Sequence, residues 1–314
     1  MDMALYLITG VGGFIGSSLA RAVLARGEQV RGIDNFATGR RENLADILDK
    51  IDFHESDILD LPAMKKACAG ADFVFHEAAI PSVPKSVLDP VASNQANVDG
   101  TVNVLVAARD AKVKRVVYAA SSSVYGDTPT LPKREAMTPN PISPYAVAKL
   151  ASEHYMTSFY RCYGLETVSL RYFNIFGPRQ DPSSPYSGVL AKFITQMLSG
   201  QRPTMFGDGE QSRDFTYIDN AVDANLLACR APSQVAGQVF NVATGRRISL
   251  NETFRALQKL IGYSGEADYG PERGGDIKHS LSDISKAEAQ LGYKPKVSFE
   301  EGLKKTVDWY RGRT

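Results

Sequence analysis

A tyrosine and a lysine stand four residues apart in the segment NPISPYAVAKLASEHY, residues 140–155. In an α-helix, residues i and i+4 face the same side, so a helix here would bring Tyr145 and Lys149 together. A phenol has an ordinary pKa of about 10 and is a poor base at neutral pH, but a nearby ammonium stabilises the phenolate and lowers that pKa. The spacing therefore indicates either the solvated face of an amphipathic helix or an acid/base pair that moves a hydroxyl proton.

Three serines could complete such a pair. Ser121, Ser122 and Ser123 follow directly on the apolar segment KRVVYAA, which is typical of a buried strand. Ligands of open α/β sheets bind where the strands end, and a hydroxyl placed there can orient a substrate oxygen. Serine, tyrosine and lysine around a nicotinamide would take a hydride and a proton from an alcohol and return them to a ketone.

A glycine-rich turn, TGVGGFIGSSL, follows the first apolar segment. Gly10, Gly13 and Gly16 are spaced as GxxGxxG, a variant of the GxGxxG fingerprint, in which Ile15 stands in place of the third glycine. Glycines permit a tight turn and a close approach to phosphate, and the free amides of a following helix bind anions. Alone, this motif is also compatible with a purely structural turn.

An acidic residue at the end of the second predicted strand favours the dinucleotide interpretation. Asp34 lies 18 residues beyond Gly16, where an acidic side chain accepts hydrogen bonds from the adenosine ribose. It would also repel a 2′-phosphate, which favours NAD over NADP, although Arg40 and Arg41 follow closely and could weaken that preference. The alternative for Asp34 is a strand-end turn with Asn35.

The elements that would position these groups alternate between strand and helix. Strands are predicted at the following residues: 4–8, 29–34, 50–57, 71–79, 113–121 and 166–174. Helices are predicted between them, including long ones at 91–110 and 144–163. Such alternation predicts a Rossmann-like, doubly wound parallel sheet, with a smaller C-terminal α/β lobe that binds substrate. We expect a dinucleotide-binding domain at 1–173, to which segments near 214–243 return, and a substrate lobe at 174–314.

Composition narrows the class of protein. The chain has 314 residues, of which 43% are apolar and 23% charged, with a formal net charge of +1. These values fit a globular protein and predict neither nucleic-acid nor membrane binding. Three distant cysteines and four scattered histidines show no metal-ligand spacing, so we expect reduced thiols, no metal and a cytoplasmic location.

Taken together, the motifs resemble the extended short-chain dehydrogenase/reductase family, and more narrowly its UDP-sugar 4-epimerases. The similarity extends over essentially the whole chain, with TGVGGFIG, GIDNFATGRRENL, HEAA, SSSVYG, PYAVAK, LRYFNIFGPRQ, SRDFTYIDN and GDIKHSLSDISKA as its anchors. The resemblance implies NAD as cofactor, a UDP-sugar as substrate and a homodimer paired through the helices near 93–110 and 144–163.

The resemblance also implies roles for individual residues. Tyr145 would be the base, Lys149 would bind the nicotinamide ribose, and Ser121 would hold the sugar hydroxyl, although a shift of one position would select a neighbouring serine. The residues implied at the cofactor are Gly10, Gly13, Phe14, Ile15, Gly16, Asp34, Asn35, Thr38, Gly39, Asp57, Ile58, Ala78, Ala79, Asn97, Tyr145, Lys149 and Tyr172. Those implied at the substrate are Ser82, Val83, Ser122, Ser123, Tyr145, Asn174, Val189, Arg213, Arg273, Asp276 and Ser280.

Three positions bear on the choice of reaction and sugar. The related 4,6-dehydratases carry an Asp-Glu pair where Ser122 and Ser123 stand, which argues against dehydration. A tyrosine at the position of Ser280 restricts relatives to glucose and galactose, so a serine is expected to admit an N-acetyl group. UDP-glucuronate 4-epimerases also have small residues there, so a UDP-glucuronate 4-epimerase or decarboxylase is an alternative, and a non-catalytic NAD-sensing protein is a further one. Gly188 replaces an asparagine of the family pattern.

Overall fold

Seven parallel strands form the central sheet of the computed structural model, which describes residues 3–182, 188–271 and 278–312. The thirteen strands of the described chain are β1 Leu5–Thr9, β2 Gln29–Asp34, β3 Asp52–Glu55, β4 Phe73–His76, β5 Arg115–Ser121, β6 Glu166–Tyr172, β7 Ile175–Phe176, β8 Thr204–Phe206, β9 Ser212–Arg213, β10 Thr216–Tyr217, β11 Gln238–Val242, β12 Ile248–Ser249 and β13 Asp268–Gly270. The sheet has the order β3-β2-β1-β4-β5-β6-β11. The remaining strands form two-stranded pairs.

The strand order reverses beside β1. Chain connections run outward through β2 and β3 on one side and through β4, β5 and β6 on the other. Loops that leave β1 and β4 therefore diverge and leave a crevice at the carboxyl edge, which is where open α/β sheets bind ligands. The glycine-rich turn follows β1, and the HEAA segment includes the end of β4.

Helices cover both faces of the sheet and build the C-terminal lobe. They are α1 Phe14–Leu24, α2 Leu61–Cys68, α3 Val83–Leu88, α4 Pro90–Asn94, α5 Gly100–Asp110, α6 Pro144–Tyr163, α7 Val189–Leu198, α8 Ile218–Arg230, α9 Leu250–Ile261, α10 Ser285–Leu291 and α11 Phe299–Arg311. A π-helical turn at Gln95–Asp99 joins α4 to α5. Among the described residues, no helix is long and apolar enough to cross a membrane.

The longest helix, α6, begins where local chemistry predicts. The Ser143 hydroxyl accepts the N–H of Ala146 at 3.2 Å, and Pro144 occupies the first helical position, which needs no amide donor. Gly164 ends the helix in a left-handed conformation, with φ of 71°. These signals lie within a few residues of the helix ends, which explains why the predicted bounds of 144–163 are matched.

Two apolar clusters lie on opposite faces of the sheet. One contains side chains of α2 and α5 together with Met156 and Phe159 of α6. The other contains α1 and α8 and continues without interruption into the C-terminal lobe through residues such as Phe193 and Leu257. The substrate lobe therefore shares a core with the sheet.

The predicted parallel α/β architecture is confirmed, with shorter strands than the sequence indicated. All six predicted strands are present, but the segments 50–57 and 71–79 form only Asp52–Glu55 and Phe73–His76. The flanking residues lie outside the strands, mostly in irregular segments and bends. The seventh sheet strand is β11, which pairs in parallel with β6 from within the 214–243 segment.

A buried ion pair attaches α6 to the sheet. The Arg171 guanidinium on β6 donates to the two Glu153 carboxylate oxygens at 2.9 and 2.6 Å, and both side chains are at most 5% exposed. Glu153 lies one helical turn beyond Lys149, so this pair sets the rotation of the helix that carries the tyrosine and lysine. The carboxylate raises the pKa of Arg171 further above its ordinary value.

We predict that Arg171→Met destabilises the protein by about 3–5 kcal/mol, because it leaves the Glu153 carboxylate buried without its counter-ion. The measurement is the free energy of unfolding in urea. The double variant Glu153→Leu/Arg171→Met removes both charges and should recover most of the loss. If the double variant is as unstable as Arg171→Met, packing rather than the isolated charge causes the effect.

Candidate active site

The glycine-rich turn forms a close-fitting cradle at the amino end of α1. Gly10 has a φ of +69°, and a Cβ on it would lie 2.7 Å from the backbone nitrogen of Ala78, so only glycine fits there. Gly13 is the N-cap residue and has no side chain to bond the first amides of the helix. Those amides belong to Phe14, Ile15 and Gly16, and the positive end of the helix dipole lies behind them. The cradle suits a diphosphate.

The Asp34 carboxylate lies directly beside this cradle. Its two oxygens accept the N–H groups of Gly12 at 2.8 Å and Phe36 at 2.7 Å. A Cβ on Gly39 would stand 2.9 Å from both oxygens, so a larger residue there would displace the carboxylate. Asp34 is 8% exposed, and its burial raises the pKa while these two hydrogen bonds lower it. The remaining lone pairs can accept ribose hydroxyls.

The two arginines that could have favoured a 2′-phosphate already have carboxylate partners. Arg41 donates to both oxygens of Glu55 at 2.6 and 2.7 Å, and its guanidinium stacks over the Phe36 ring. Arg40 donates to Asp181 at 3.1 Å. The environment of Asp34 therefore favours NAD over NADP.

Loops after β2 and β3 meet close to Asp34. The Asn35 side chain donates to Asp57 at 2.7 Å, which ties these two loops together. The buried Ile58 side chain fills the space that a Cβ on Gly100 would need. On the other side of the cradle, the Thr38 hydroxyl lies 3.4 Å from the carbonyl of Ala79.

A buried hydrogen-bond chain holds the segment after β4. The Thr9 hydroxyl accepts the N–H of Ala78 at 3.2 Å and bonds His76 Nδ1 at 2.8 Å. His76 Nε2 bonds Thr101, which donates in turn to the carbonyl of Asn97. Burial and the nearby Lys149 lower the pKa of His76 to about 3, so the ring is neutral and serves structure.

Asn97 belongs to the π-helical turn and is 1% exposed. Its side chain accepts the N–H of Ile80 at 2.9 Å and donates to the Ile80 carbonyl at 3.3 Å. The asparagine thus orients the backbone beside the cofactor cradle through hydrogen bonds of its own. A π-helical turn is a rare departure from regular helix that is common at functional sites.

The three serines are not equivalent. Ser121 ends β5 on the carboxyl edge; its hydroxyl accepts the N–H of Ser123 at 3.2 Å, and its side chain lowers the pKa of the Tyr145 phenol. The Ser123 hydroxyl oxygen is buried and has no hydrogen-bond partner among the described residues. Ser122 and Ser123 begin the short 3₁₀ turn that follows the strand.

Tyr145 and Lys149 lie one turn apart on α6, as their spacing predicts. The Lys149 ammonium donates to the carbonyl of Ala119 on β5 at 2.8 Å and lies 6.0 Å from the centroid of the Tyr145 ring. Burial lowers the pKa of Lys149 to about 8, and the charge of Glu77 opposes that fall. Burial raises the pKa of Tyr145, and the Ser121 side chain opposes that rise.

Two supporting residues had no role in the sequence interpretation. Ser86 on α3 is fully buried and accepts the N–H of Tyr145 at 3.0 Å, so it anchors the first turn of α6. Glu77 follows β4 and accepts the Tyr172 hydroxyl at 2.9 Å. A carboxylate directly after a buried strand was a usable signal for Glu77. The link from Ser86 to Tyr145 spans 59 positions and no local pattern marks it.

A buried carboxylate organises the substrate side. Asp214 accepts the N–H groups of Thr244, Gly245 and Ser282 and the Thr244 hydroxyl, and its backbone carbonyl accepts from the Asn174 side chain at 3.3 Å. Asn174 has a φ of +40°, which asparagine tolerates better than most residues. Asp214 thus joins two loops, at Thr244–Gly245 and at Ser282, to the turn between β6 and β7.

Arg213 and Ser280 lie on neighbouring segments. The N–H of Ser280 donates to the Ser212 carbonyl at 2.9 Å, and Arg213 donates to the carbonyls of Ser212 and Lys278. Ser280 is half-buried and belongs to a segment that Asp214 also holds through Ser282. The backbone on which Ser280 lies is therefore constrained on both sides.

The other predicted substrate residues lie at helix starts. Ser82 caps α3, where its hydroxyl accepts the N–H of Lys85, and Val83 is the exposed first residue of that helix. Val189 begins α7, with Gly188 as its N-cap residue. Arg273 and Asp276 lie outside the described residues.

Solved structures with this architecture include enzymes that act on nucleotide sugars. A UDP-glucose 4-epimerase from Thermotoga maritima, solved with UDP-glucose, is 39% identical and has a TM-score of 0.94, with 98% of this chain and 99% of that chain covered. A UDP-N-acetylglucosamine 4-epimerase from Methanobrevibacter ruminantium, in complex with UDP-N-acetylmuramic acid, is 40% identical over 100% of both chains, with a TM-score of 0.95. A UDP-glucose 4-epimerase from Thermus thermophilus, solved with NAD, is 36% identical over 99% of this chain and 100% of that chain, with a TM-score of 0.90.

The family model described as "NAD dependent epimerase/dehydratase family" matches residues 6–243. The matched region contains the glycine-rich cradle, Asp34 and the Ser121, Tyr145 and Lys149 group. With the cradle and the carboxylate fitted to NAD, and with relatives similar over their full length, this chain belongs to the NAD dependent epimerase/dehydratase family.

Proposed function

We propose that this protein is an NAD-dependent UDP-sugar 4-epimerase that inverts C4 through a transient 4-keto intermediate. The observation that carries the proposal is the group formed by Ser121, Tyr145 and Lys149 at the carboxyl edge of the sheet, beside a cradle for a dinucleotide. The similarity to solved 4-epimerases over essentially the whole chain supports the same reaction.

When bound, NAD accepts a hydride from C4 and returns it, and its oxidised ring adds positive charge near the phenol. Tyr145 takes the proton of the C4 hydroxyl and gives it back to the ketone on the return step. Ser121 orients the reacting oxygen by hydrogen bonding. The Lys149 ammonium stabilises the phenolate, which burial alone disfavours.

Inversion requires that the 4-keto sugar present its other face before the hydride returns, while the rest of the substrate stays bound. We assign Arg213 to the diphosphate, because a forked guanidinium suits that group, and Asn174 to the sugar. Arg273 and Asp276 are proposed as further contacts to the nucleotide on the basis of the family pattern. Net oxidation is avoided when the 4-keto sugar remains in the site until it is reduced.

The proposed sugars are UDP-GlcNAc and UDP-GalNAc together with UDP-Glc and UDP-Gal. Ser280 is the residue on which this breadth depends, because a small side chain leaves room where a tyrosine would exclude the N-acetyl group. The backbone of Ser280 is held by Ser212 and, through Ser282, by Asp214. The site therefore has little freedom to move aside for a bulkier residue.

We also propose that the protein is a homodimer. Exposed apolar side chains lie on the adjacent helices α3, α4 and α6, and they include Val87, Leu88, Val91, Val147 and Tyr155. Leu88 is 77% and Val91 65% exposed, and a second copy of the chain would remove this surface from water. Tyr145 lies on one of these helices, so pairing would also stabilise the site.

Tyr145→Phe should reduce epimerisation of UDP-GlcNAc and UDP-Glc by about 100-fold or more, because it removes the group that moves the proton. Lys149→Ala should produce a loss of similar size. The assay is product analysis of purified protein with a panel of UDP-sugars. Tyr160→Phe makes the same chemical change farther along α6 and should retain activity.

Wild-type turnover by Tyr145→Phe would contradict the assignment of the base. Accumulation of free NADH with an oxidised sugar from the wild-type protein would instead indicate a dehydrogenase. Absence of any product from the NAD-loaded protein would favour the non-catalytic alternative.

Ser280→Tyr should abolish turnover of UDP-GlcNAc and leave turnover of UDP-Glc largely intact, because the added ring fills the space of the N-acetyl group. Ser280→Ala keeps the space and should retain both activities. The measurement is kcat/KM for the two substrates. Equal retention of both by Ser280→Tyr would reject the role of this position.

The double variant Leu88→Asp/Val91→Asp should convert the dimer to a monomer, because it would bury charge at the proposed interface. Light scattering coupled to size-exclusion chromatography measures the mass. Leu48→Asp alters an exposed apolar residue outside this face and should leave the mass unchanged. A wild-type protein that is already monomeric would refute the proposed dimer.

A further inference from the structure

Glu77 lies at the carboxyl edge of the sheet, beside the lysine of the reacting group. It follows β4 directly, and its N–H donates to the Thr9 carbonyl at 3.3 Å. On the paired strands, His76 is opposite Tyr118. Glu77 and Ala119 are the residues that follow this pair, so they lie at the same level of the two strands. The Ala119 carbonyl accepts a hydrogen bond from the Lys149 ammonium.

A hydrogen-bond chain fixes the position of the Glu77 carboxylate. Its Oε1 accepts the Tyr172 hydroxyl at 2.9 Å, and that hydroxyl accepts the Asn225 side-chain N–H at 2.7 Å. Asn225 is fully buried on α8 and also donates to the Ala221 carbonyl. Tyr172 of β6 therefore holds the carboxylate, and Asn225 of α8 holds the Tyr172 hydroxyl in turn. The carboxylate is thus not free to rotate toward solvent.

The ammonium of Lys149 needs an opposite charge. Lys149 is only 3% exposed, and its ammonium donates a hydrogen bond to the neutral Ala119 carbonyl. The rings of Tyr118 and Tyr145 lie at 4.8 and 6.0 Å from the nitrogen. Over the described ranges, no carboxylate forms an ion pair with it within 4 Å. A buried ammonium in such surroundings tends to lose its proton.

We propose that Glu77 is a positioning residue for the epimerisation, whose carboxylate, held by Tyr172, is the counter-charge that keeps Lys149 protonated next to Tyr145. This inference rests on the proposed function, since it assigns a further residue to the same site. Glu77 acts through Lys149 and contacts neither the reacting carbon nor its hydroxyl.

The charges around Glu77 are consistent with this role. Lys149 faces it from α6, Tyr118 from β5 and Tyr172 from β6, while α8 contributes the neutral Asn225 through Tyr172. On its own strand, the neighbouring ring is the neutral His76 described above. Lys149 is therefore the one cation among these groups.

The direction of the pH effect follows from the two pKa values. Burial raises the pKa of Glu77 to about 7, and burial lowers that of Lys149 to about 8. Above pH 7 the carboxylate is charged and opposes loss of the lysine proton. Without it, Lys149 loses its proton at a lower pH, and each pKa unit of decrease below the assay pH reduces the protonated fraction about tenfold.

The test is the Glu77→Gln variant, whose side-chain oxygen can still accept the Tyr172 hydroxyl. Lysine labelled with carbon-13 at Cε allows the titration of Lys149 to be followed by NMR in the full-length protein, with Lys149→Ala to assign the signal. We expect the pKa of Lys149 to be lower in Glu77→Gln than in the wild type. The alkaline limb of the kcat–pH profile should move to lower pH in the same variant.

Two further variants separate charge from structure. Glu77→Asp keeps the carboxylate and should retain an alkaline limb close to that of the wild type. Glu300→Gln removes one negative charge on α11 and should change neither readout. An unchanged Lys149 titration in folded Glu77→Gln would overturn the proposal, as would a lower kcat without movement of the alkaline limb. The NMR titration needs no turnover, so it distinguishes failure of this inference from failure of the proposed function.

Discussion

The site is organised around an ammonium that burial disfavours. Lys149 is almost completely removed from water, and its pKa is lowered to about 8 for that reason. The Ala119 carbonyl accepts a hydrogen bond from this ammonium, and the charge of Glu77 opposes the fall in its pKa. Parallel strands bring these two groups to one edge, since β4 and β5 are neighbours in the sheet. The order of strands in the sheet therefore sets the surroundings of Lys149.

Helix α6, which carries Lys149, is held by contacts at several positions along its length. The Ser143 hydroxyl caps the helix, and the Ser86 hydroxyl accepts the N–H of Tyr145. Two turns beyond Tyr145, Glu153 forms an ion pair with Arg171. Each contact restrains a different degree of freedom: the start of the helix, the position of its first turn and its rotation on the sheet. A tyrosine and a lysine one turn apart become an acid/base pair only under these restraints, because proton transfer needs hydrogen-bond distances.

The cofactor end of the site depends on the absence of side chains. Gly10 approaches the backbone of Ala78, and Gly39 packs against the Asp34 carboxylate, so both positions exclude even a methyl group. Arg40 and Arg41 are neutralised by acidic partners, which leaves the electrostatics near Asp34 in favour of a ribose that carries no phosphate. The substrate end instead depends on one buried carboxylate, Asp214, that collects the loops around Ser282 and Asn174.

Features that short-range chemistry encodes were predictable from the order of the residues. The alternation of strands and helices predicted the parallel sheet, the serine and proline at 143–144 marked the start of α6, and the i and i+4 spacing placed Tyr145 and Lys149 on one face. The glycine-rich turn and Asp34 predicted the cofactor cradle in the same way. The side chains that support these groups could be identified only in the folded chain. Glu77 and Tyr172 are 95 positions apart, and no spacing rule connects them. Such partners are selected by the order of strands in the sheet and by burial, which are properties of the folded chain as a whole.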